Sequence, residues 1–191
     1  MEKITLGPQT LIYPMPAFLI GANVDGKPNF MTAAWSGIAA STPPMITVAL
    51  QHHRYTLRGM RENLTFSVNV PSAELVRETD YCGLVSGSTK ADKAKECGFN
   101  IFFGKLKSAP MIEQCPVNLE CKAMHFLSLG SHCLVIGQIE EVHVSDSCMT
   151  NGKPDPAKID PIMFTTGTDN AYFKLGGKVG PAFKIGMEIK K

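Results

Sequence analysis

The sequence predicts a mainly β fold, a small barrel of strands decorated with a few short helices. Three observations carry this expectation. Short apolar and β-branched runs recur along the chain, each bounded by turn residues. Helical patterns are few and short. Helices also fail to alternate regularly with strands, as a parallel α/β sheet would require.

The elements follow in order. Ala17 to Val24 is apolar, Asp25-Gly26 is a turn dipeptide, and Asn29 to Trp35 continues beyond it, so the two runs make a hairpin. Thr56 to Asn63, with Leu57 and Met60 three apart, reads as a helix between strands Met45 to Gln51 and Leu64 to Val70. Glu74 to Val85 carries Leu75, Tyr81, Cys82 and Val85 on roughly one face, with Ser72 before it as N-cap. Asp92 to Cys97 makes a further short helix, stopped at Gly98. Val117 to Phe126 and Ser131 to Val144 are longer strands, the second bent or bulged at Gly137, and Pro161 to Thr165 adds another.

The 191 residues fit one domain over 1–191. Charged residues are 19% of the chain, below the average of about 25% for soluble domains. So little charge points to surface covered by a partner, and a homodimer is the simplest one. The net charge of +2 is mild and scattered, which argues against nucleic acid. No apolar run approaches the roughly 20 residues of a spanning helix, and no apolar core follows the start Met1 to Pro8. The expectation is a cytoplasmic protein without membrane contact. The six cysteines are widely spaced with no C-x-x-C, as expected of reduced, mostly buried thiols.

Motifs for a P-loop, a dinucleotide-binding βαβ unit, a nucleophile elbow and a zinc protease are absent from the sequence. Three clusters remain. Asn29 to Gly37 ends a strand in small and hydroxylated residues that let a flat ligand approach the backbone. Its Trp35, the single tryptophan, either covers such a ligand or belongs to the core. Gln51-His52-His53-Arg54-Tyr55-Thr56 leads from a strand into a helix N-terminus, a place suited to an anion. His52 and His53 are neighbours in an extended segment and point apart, so they do not share a metal. Ser86 to Lys93 offers hydroxyls, a glycine and two lysines before a short helix, either as a phosphate lid or as an exposed capping loop. None of the three supplies an obvious base or nucleophile. The set suits a cofactor that carries its own chemistry.

The runs Met31-Thr32-Ala33-Ala34-Trp35 and Ser41-Thr42-Pro43-Pro44-Met45-Ile46 resemble the opening motif of the flavin-reductase-like, FMN-binding split-barrel family. Phe66 to Val70, Asp80 to Gly83 with Ser88 to Lys93, Gly130 to His132 with Gly137 to Ile139, and Pro161-Ile162 to Gly176 resemble its later segments, in order over roughly the whole chain. The resemblance implies an antiparallel split barrel, a homodimer, and FMN held noncovalently near the dimer interface. It carries the cofactor contacts to Asn29, Met31, Thr32, Ala33, Ala34, Trp35 and Ser36, to Gln51, His52, Arg54 and Thr56, and to Ser88, Lys90 and Lys93. Thr32 to Trp35 would meet the ring and ribityl chain, and Arg54, Thr56 and one of Lys90 and Lys93 the phosphate. Phe164 and Tyr172 would flank the ring, and His132 is structural or near a nicotinamide. The bulk of Trp35 and the Arg54 segment depart from the simpler family pattern, which favours a tightly held FMN. No residue is assigned a catalytic role and no metal is expected.

The function so implied is electron or hydride transfer through bound FMN, with NAD(P)H or a redox protein as donor. A second reading keeps the barrel without catalysis, as a flavin-binding or interaction module. A third, weaker one is a metal protein using scattered Cys and His.

Overall fold

Seven strands make one antiparallel sheet: β1 (Phe18–Val24), β2 (Lys27–Ala33), β3 (Ser36–Ser41), β4 (Pro44–Gln51), β5 (Thr65–Val70), β6 (Val117–Leu129) and β7 (His132–Val144). Their order across the sheet is β2-β1-β5-β6-β7-β4-β3. The computed structural model describes residues 1–89 and 92–190. The two edge strands, β2 and β3, are consecutive in the chain and separated only by Ala34 and Trp35. Two residues cannot span a flat seven-stranded sheet, whose strands lie about 4.8 Å apart, so the sheet curls until its edges meet. The Ala49 N–H donates to the Trp35 carbonyl at 2.8 Å and fixes this break onto β4.

Local chemistry sets the hairpins. Asp25 and Gly26 have φ of 50° and 75°, and the pair Val24 and Lys27 faces across them, a primed turn matched to strand twist. β6 and β7 close with Leu129 opposite His132. The bulge expected at Gly137 is present, with the register shifting between Ile136 and Gly137. A Cβ there would stand 2.4 Å from the Phe66 ring, so the missing side chain is what lets Phe66 pack across the barrel.

Alternation then places the core. Ile20, Met31, Ile46, Val48, Phe66, Cys121 and Val135 face one interior. Helix α1 (Tyr55–Asn63) adds Leu57 and Met60 to it, as their spacing predicts. The opposite face of β1 and β2 carries Leu19 and Phe30, which pack with Cys82 of α2 (Val76–Leu84) and Ala94 of α3 (Lys93–Glu96). In a small outer sheet Ile162–Thr165 lies in the middle, paired with Met15–Pro16 on one side and Ala171–Lys174 on the other.

The structure departs from the sequence reading at several points: the strand read over Asn29 to Trp35 runs Lys27–Ala33, and the strand Ala171–Lys174 was not expected. β3 was not expected, because its small, largely exposed residues carry no alternation. The helix expected over Glu74 to Val85 begins as a 3-10 turn, Ala73–Leu75, and the Ser72 hydroxyl makes no capping bond. Leu64 is not in a strand: at φ 53° it ends α1, and β5 starts at Thr65. As expected, a short helix follows Asp92, whose carboxylate accepts the Lys95 N–H at 3.1 Å, and Gly98 (φ 65°) follows its end.

Candidate functional site

The break between β2 and β3 opens a cleft of about 180 Å³. Met31, Thr32, Ala33, Ala34 and Trp35 form one wall. Ala49, Leu50, Gln51 and Arg54 form the second, and His132 closes the third. Thus two clusters distant in sequence face one space. β4 delivers Gln51 there, and β7 delivers His132, because His132 pairs with Gln51 in the sheet register. The Trp35 and His132 rings stack at 4.6 Å between centroids and 28° between planes.

The third cluster reaches the same place through buried contacts. Asn29 Nδ2 donates to Thr56 Oγ1 at 2.6 Å, tying β2 to the first turn of α1. Against this pair lies Gly87: a Cβ on it would stand 2.1 Å from Asn29 Oδ1 and 2.8 Å from the Tyr55 ring. Only a glycine lets the loop approach so closely. The Thr32 hydroxyl donates to the Thr79 carbonyl and joins β2 to α2 as well.

Electrostatically the cleft is cationic at its α1 end. Arg54 is half-buried and caps α1, where the first N–H groups carry the positive end of the helix dipole. Among the described residues no carboxylate pairs with Arg54. Lys93 is buried, and that burial, aided by the Arg54 charge, lowers its amine below the ordinary lysine range, while the thiols of Cys82 and Cys97 oppose the shift. Lys93 and Arg54 are within electrostatic reach of one another, so Lys93 adds to the positive potential at this end of the cleft.

The expected site residues therefore divide. Met31, Thr32, Ala33, Ala34, Trp35, Gln51 and Arg54 line the cleft. Asn29 and Thr56 are buried and bonded to each other, so they brace the site from behind. The Lys93 amine donates to the carbonyls of Cys82 at 3.3 Å and Val85 at 2.9 Å, holding the end of α2 instead of pointing into the cleft. His52 turns away to the Gly130 carbonyl, 3.0 Å from its Nε2. Ser36 donates to the Thr47 carbonyl at 2.7 Å and faces a neighbouring cleft. Ser88 is exposed, with its hydroxyl 2.8 Å from that of Ser86. Phe164 pairs with Met15 in the outer sheet, 5.7 Å from the Tyr172 ring, and lines neither cleft. Lys90 lies outside the described residues. His132 is the lining residue the sequence left without a firm role, and the hairpin register is the signal that finds it. Among the described residues, no three His, Cys, Asp or Glu side chains gather as a metal site.

The neighbouring cleft, about 430 Å³, shares Ala34 and Trp35 and is otherwise bounded by the segment Gln9 to Pro16. Leu11, Ile12, Pro14 and Met15 make it largely apolar. Trp35, 41% exposed, is the wall between the two spaces.

Comparison with known proteins settles the family. A model of the flavin reductase like domain matches residues 10–167. The chain belongs to the flavin reductase-like family. Within this family it is similar to two solved flavoredoxins. That of Methanosarcina acetivorans is 40% identical, with a TM-score of 0.93 over 99% of this chain and 100% of that one. That of Desulfovibrio vulgaris (Miyazaki F) is 37% identical, with a TM-score of 0.89 over 97% and 100%. An uncharacterized protein of Archaeoglobus fulgidus is 35% identical over 144 residues, 75% of this chain and 80% of that protein. The resemblance read from the motifs agrees with these matches, and the curled antiparallel sheet is the family's split barrel. Membership in the flavin reductase-like family supports a flavin-related redox role.

Proposed function

We infer that this flavin reductase-like protein binds FMN noncovalently in the cleft at the β2–β3 break and relays electrons or hydride through it. The convergence of two sequence-distant segments on that cleft carries the reading, β2 with Trp35 and the Gln51–Arg54 turn, with the Gly87 loop packed behind them against Asn29 and Tyr55.

The residues present suit FMN. Arg54 and the N–H groups opening α1 offer charge and donors to a phosphate, with Lys93 adding field from behind. Ala33 and Ala34 leave room for a flat ring to lie against the backbone, and the Trp35–His132 stack forms an aromatic wall beside it. When bound, FMN supplies the hydride- and electron-accepting chemistry. The chain itself would orient the ring and hold the phosphate, and N–H groups of the Thr32–Trp35 segment near the ring's polar edge would favour added negative charge.

A cleft of about 180 Å³ is small beside the roughly 300–1,000 Å³ of typical small-molecule sites, which supports a second copy completing it. Exposed Trp35, Ile38, Leu127 and Leu129 near the break are the apolar surface such a homodimer would cover. The apolar cleft on the far side of Trp35 is open to a donor, NAD(P)H or a redox protein. The same reading expects a cytoplasmic protein. Among the described residues no helix is long and apolar enough to cross a membrane.

The test is a visible spectrum of the purified protein with identification of any released chromophore. Bands near roughly 370 and 450 nm with FMN released on denaturation support the reading. Anaerobic addition of NADPH, or of a reduced redox protein, then shows which donor bleaches them. A colourless protein that also fails to take up added FMN overturns it.

A further inference from the structure

Two of the six cysteines stand as a pair away from the cleft. Cys82 lies on α2 and Cys97 caps the end of α3, with their Sγ atoms 4.0 Å apart. The helices that carry them are tied on both sides of the pair. Tyr81 donates its hydroxyl to Glu96, and Lys93 binds the carbonyls of Cys82 and Val85. The sulfurs are therefore held in one frame. A disulfide bond is about 2 Å long, so the gap to close is about 2 Å, the scale of a χ1 adjustment.

Access to the two sulfurs is unequal. Cys82 is 1% exposed. Cys97 is half-buried and opens on a cleft of about 310 Å³ lined by Arg77, Glu78, Tyr81 and Glu96. This cleft offers a cation and two carboxylates around one accessible thiol. One oxygen of Glu78, Oε2, is buried with no hydrogen-bond partner among the described residues. A ligand with both an ammonium and a carboxylate group matches that set, the first against Glu78 and the second against Arg77.

We propose that Cys82 and Cys97 form a thiol–disulfide exchange site that takes a small disulfide of the amino-acid type through the Arg77–Glu78 cleft. Cys97 Sγ, deprotonated, attacks one sulfur of the incoming disulfide. The old S–S bond breaks, a mixed disulfide forms at Cys97, and the first small thiol leaves with a proton. Cys82 Sγ then attacks Cys97 Sγ, and the second small thiol leaves with the other proton. Two protein thiols are oxidised to one disulfide, and one small disulfide is reduced to two thiols. Run backwards, the same steps reduce the protein pair.

The surroundings set the pace. Burial pushes the Cys82 thiol up to about 12 and raises Cys97 too. Glu78 and Glu96 add to the rise at Cys97, and Lys93 opposes it at both sulfurs. Exchange is accordingly slow near neutral pH and quickens as the solution becomes alkaline. None of these steps passes through FMN, so the exchange is independent of flavin binding.

The experiment exposes the reduced, natively folded full chain to cystine at mildly alkaline pH, traps remaining thiols by alkylation, and maps the peptides by mass. The expected product is a Cys82–Cys97 link, two hydrogens lighter. Cys82→Ser should stop at a stable mixed disulfide on Cys97, and Cys97→Ser should take up no cystine at this pair. Arg77→Gln should slow exchange with cystine about threefold and leave exchange with neutral hydroxyethyl disulfide unchanged. A wild-type chain whose Cys82 and Cys97 both remain alkylatable, or whose Cys97 adduct never resolves onto Cys82, overturns the proposal without any variant having to fold.

Discussion

The rings of Trp35 and His132 lie 4.6 Å apart and nearly parallel, joining the break between β2 and β3 to the first residue of β7. The contact spans 97 positions in sequence, and it places an aromatic wall where the sheet edges meet. Because Trp35 is the single tryptophan, its fluorescence reports on this wall alone. His132→Ala removes one ring of the stack. Aromatic pairs contribute about 1 kcal/mol beyond their buried area, so the variant should bind FMN about fivefold more weakly. A fluorescence titration of the two proteins measures the difference.

Arg54 faces the cleft without a carboxylate partner among the described residues, at the head of α1. If it holds a phosphate, Arg54→Met should cost about 1.5–3 kcal/mol in FMN affinity, a rise in Kd of roughly 10- to 100-fold. Riboflavin, which lacks the phosphate, should bind the variant and the wild type alike. Isothermal titration with both ligands separates loss of the phosphate contact from general damage.

Gly87→Ala tests whether the third segment belongs to the site. The new Cβ would meet Asn29 Oδ1 at 2.1 Å and the Tyr55 ring at 2.8 Å, so the loop or the Asn29–Thr56 pair must shift. The variant should lose about 1–3 kcal/mol of stability and bind FMN more weakly. Thermal melts with and without FMN check both effects.

The strands were legible where side chains alternate and a turn dipeptide intervenes, as in β1, Asp25-Gly26 and β2. β3 was not, because Ser36 to Ser41 is small and exposed and becomes a strand only through pairing with β4. The site divides in the same way. Ala33, Ala34, Gln51 and Arg54 could be read from residue type, since small side chains and an Arg before a helix have a local meaning. Asn29 and Thr56 carry equally polar side chains, but they are 27 positions apart, and nothing local shows that they bond to each other. Lys93 misleads for a similar reason: only the fold shows its amine turned to the end of α2.

Glu120 gives the fold a pH dependence. The side chain is fully buried and accepts from the Lys105 N–H at 3.1 Å and the Leu106 N–H at 2.6 Å, and it meets His143 Nε2 at 2.6 Å. Burial pushes its carboxyl upward, but His143 and the two N–H groups outweigh that and hold it below the ordinary glutamate range. A carboxyl lowered by folding stabilises fully above its unfolded value of about 4.3, and the gain is lost as pH falls through the lower folded value. Glu120→Gln should therefore lose about 2 kcal/mol near neutral pH and approach the wild type in strong acid. Urea midpoints near pH 7 and near pH 3 measure the gap and its closing.

If the cleft beside Trp35 is a flavin phosphate site, it must distinguish FMN from riboflavin. The most direct test titrates the wild-type chain with FMN and with riboflavin, reading the fluorescence of Trp35. Saturable quenching by one FMN per chain and much weaker binding of riboflavin are expected. Trp35 emission indifferent to FMN, or equal affinity for the two ligands, would contradict such a site.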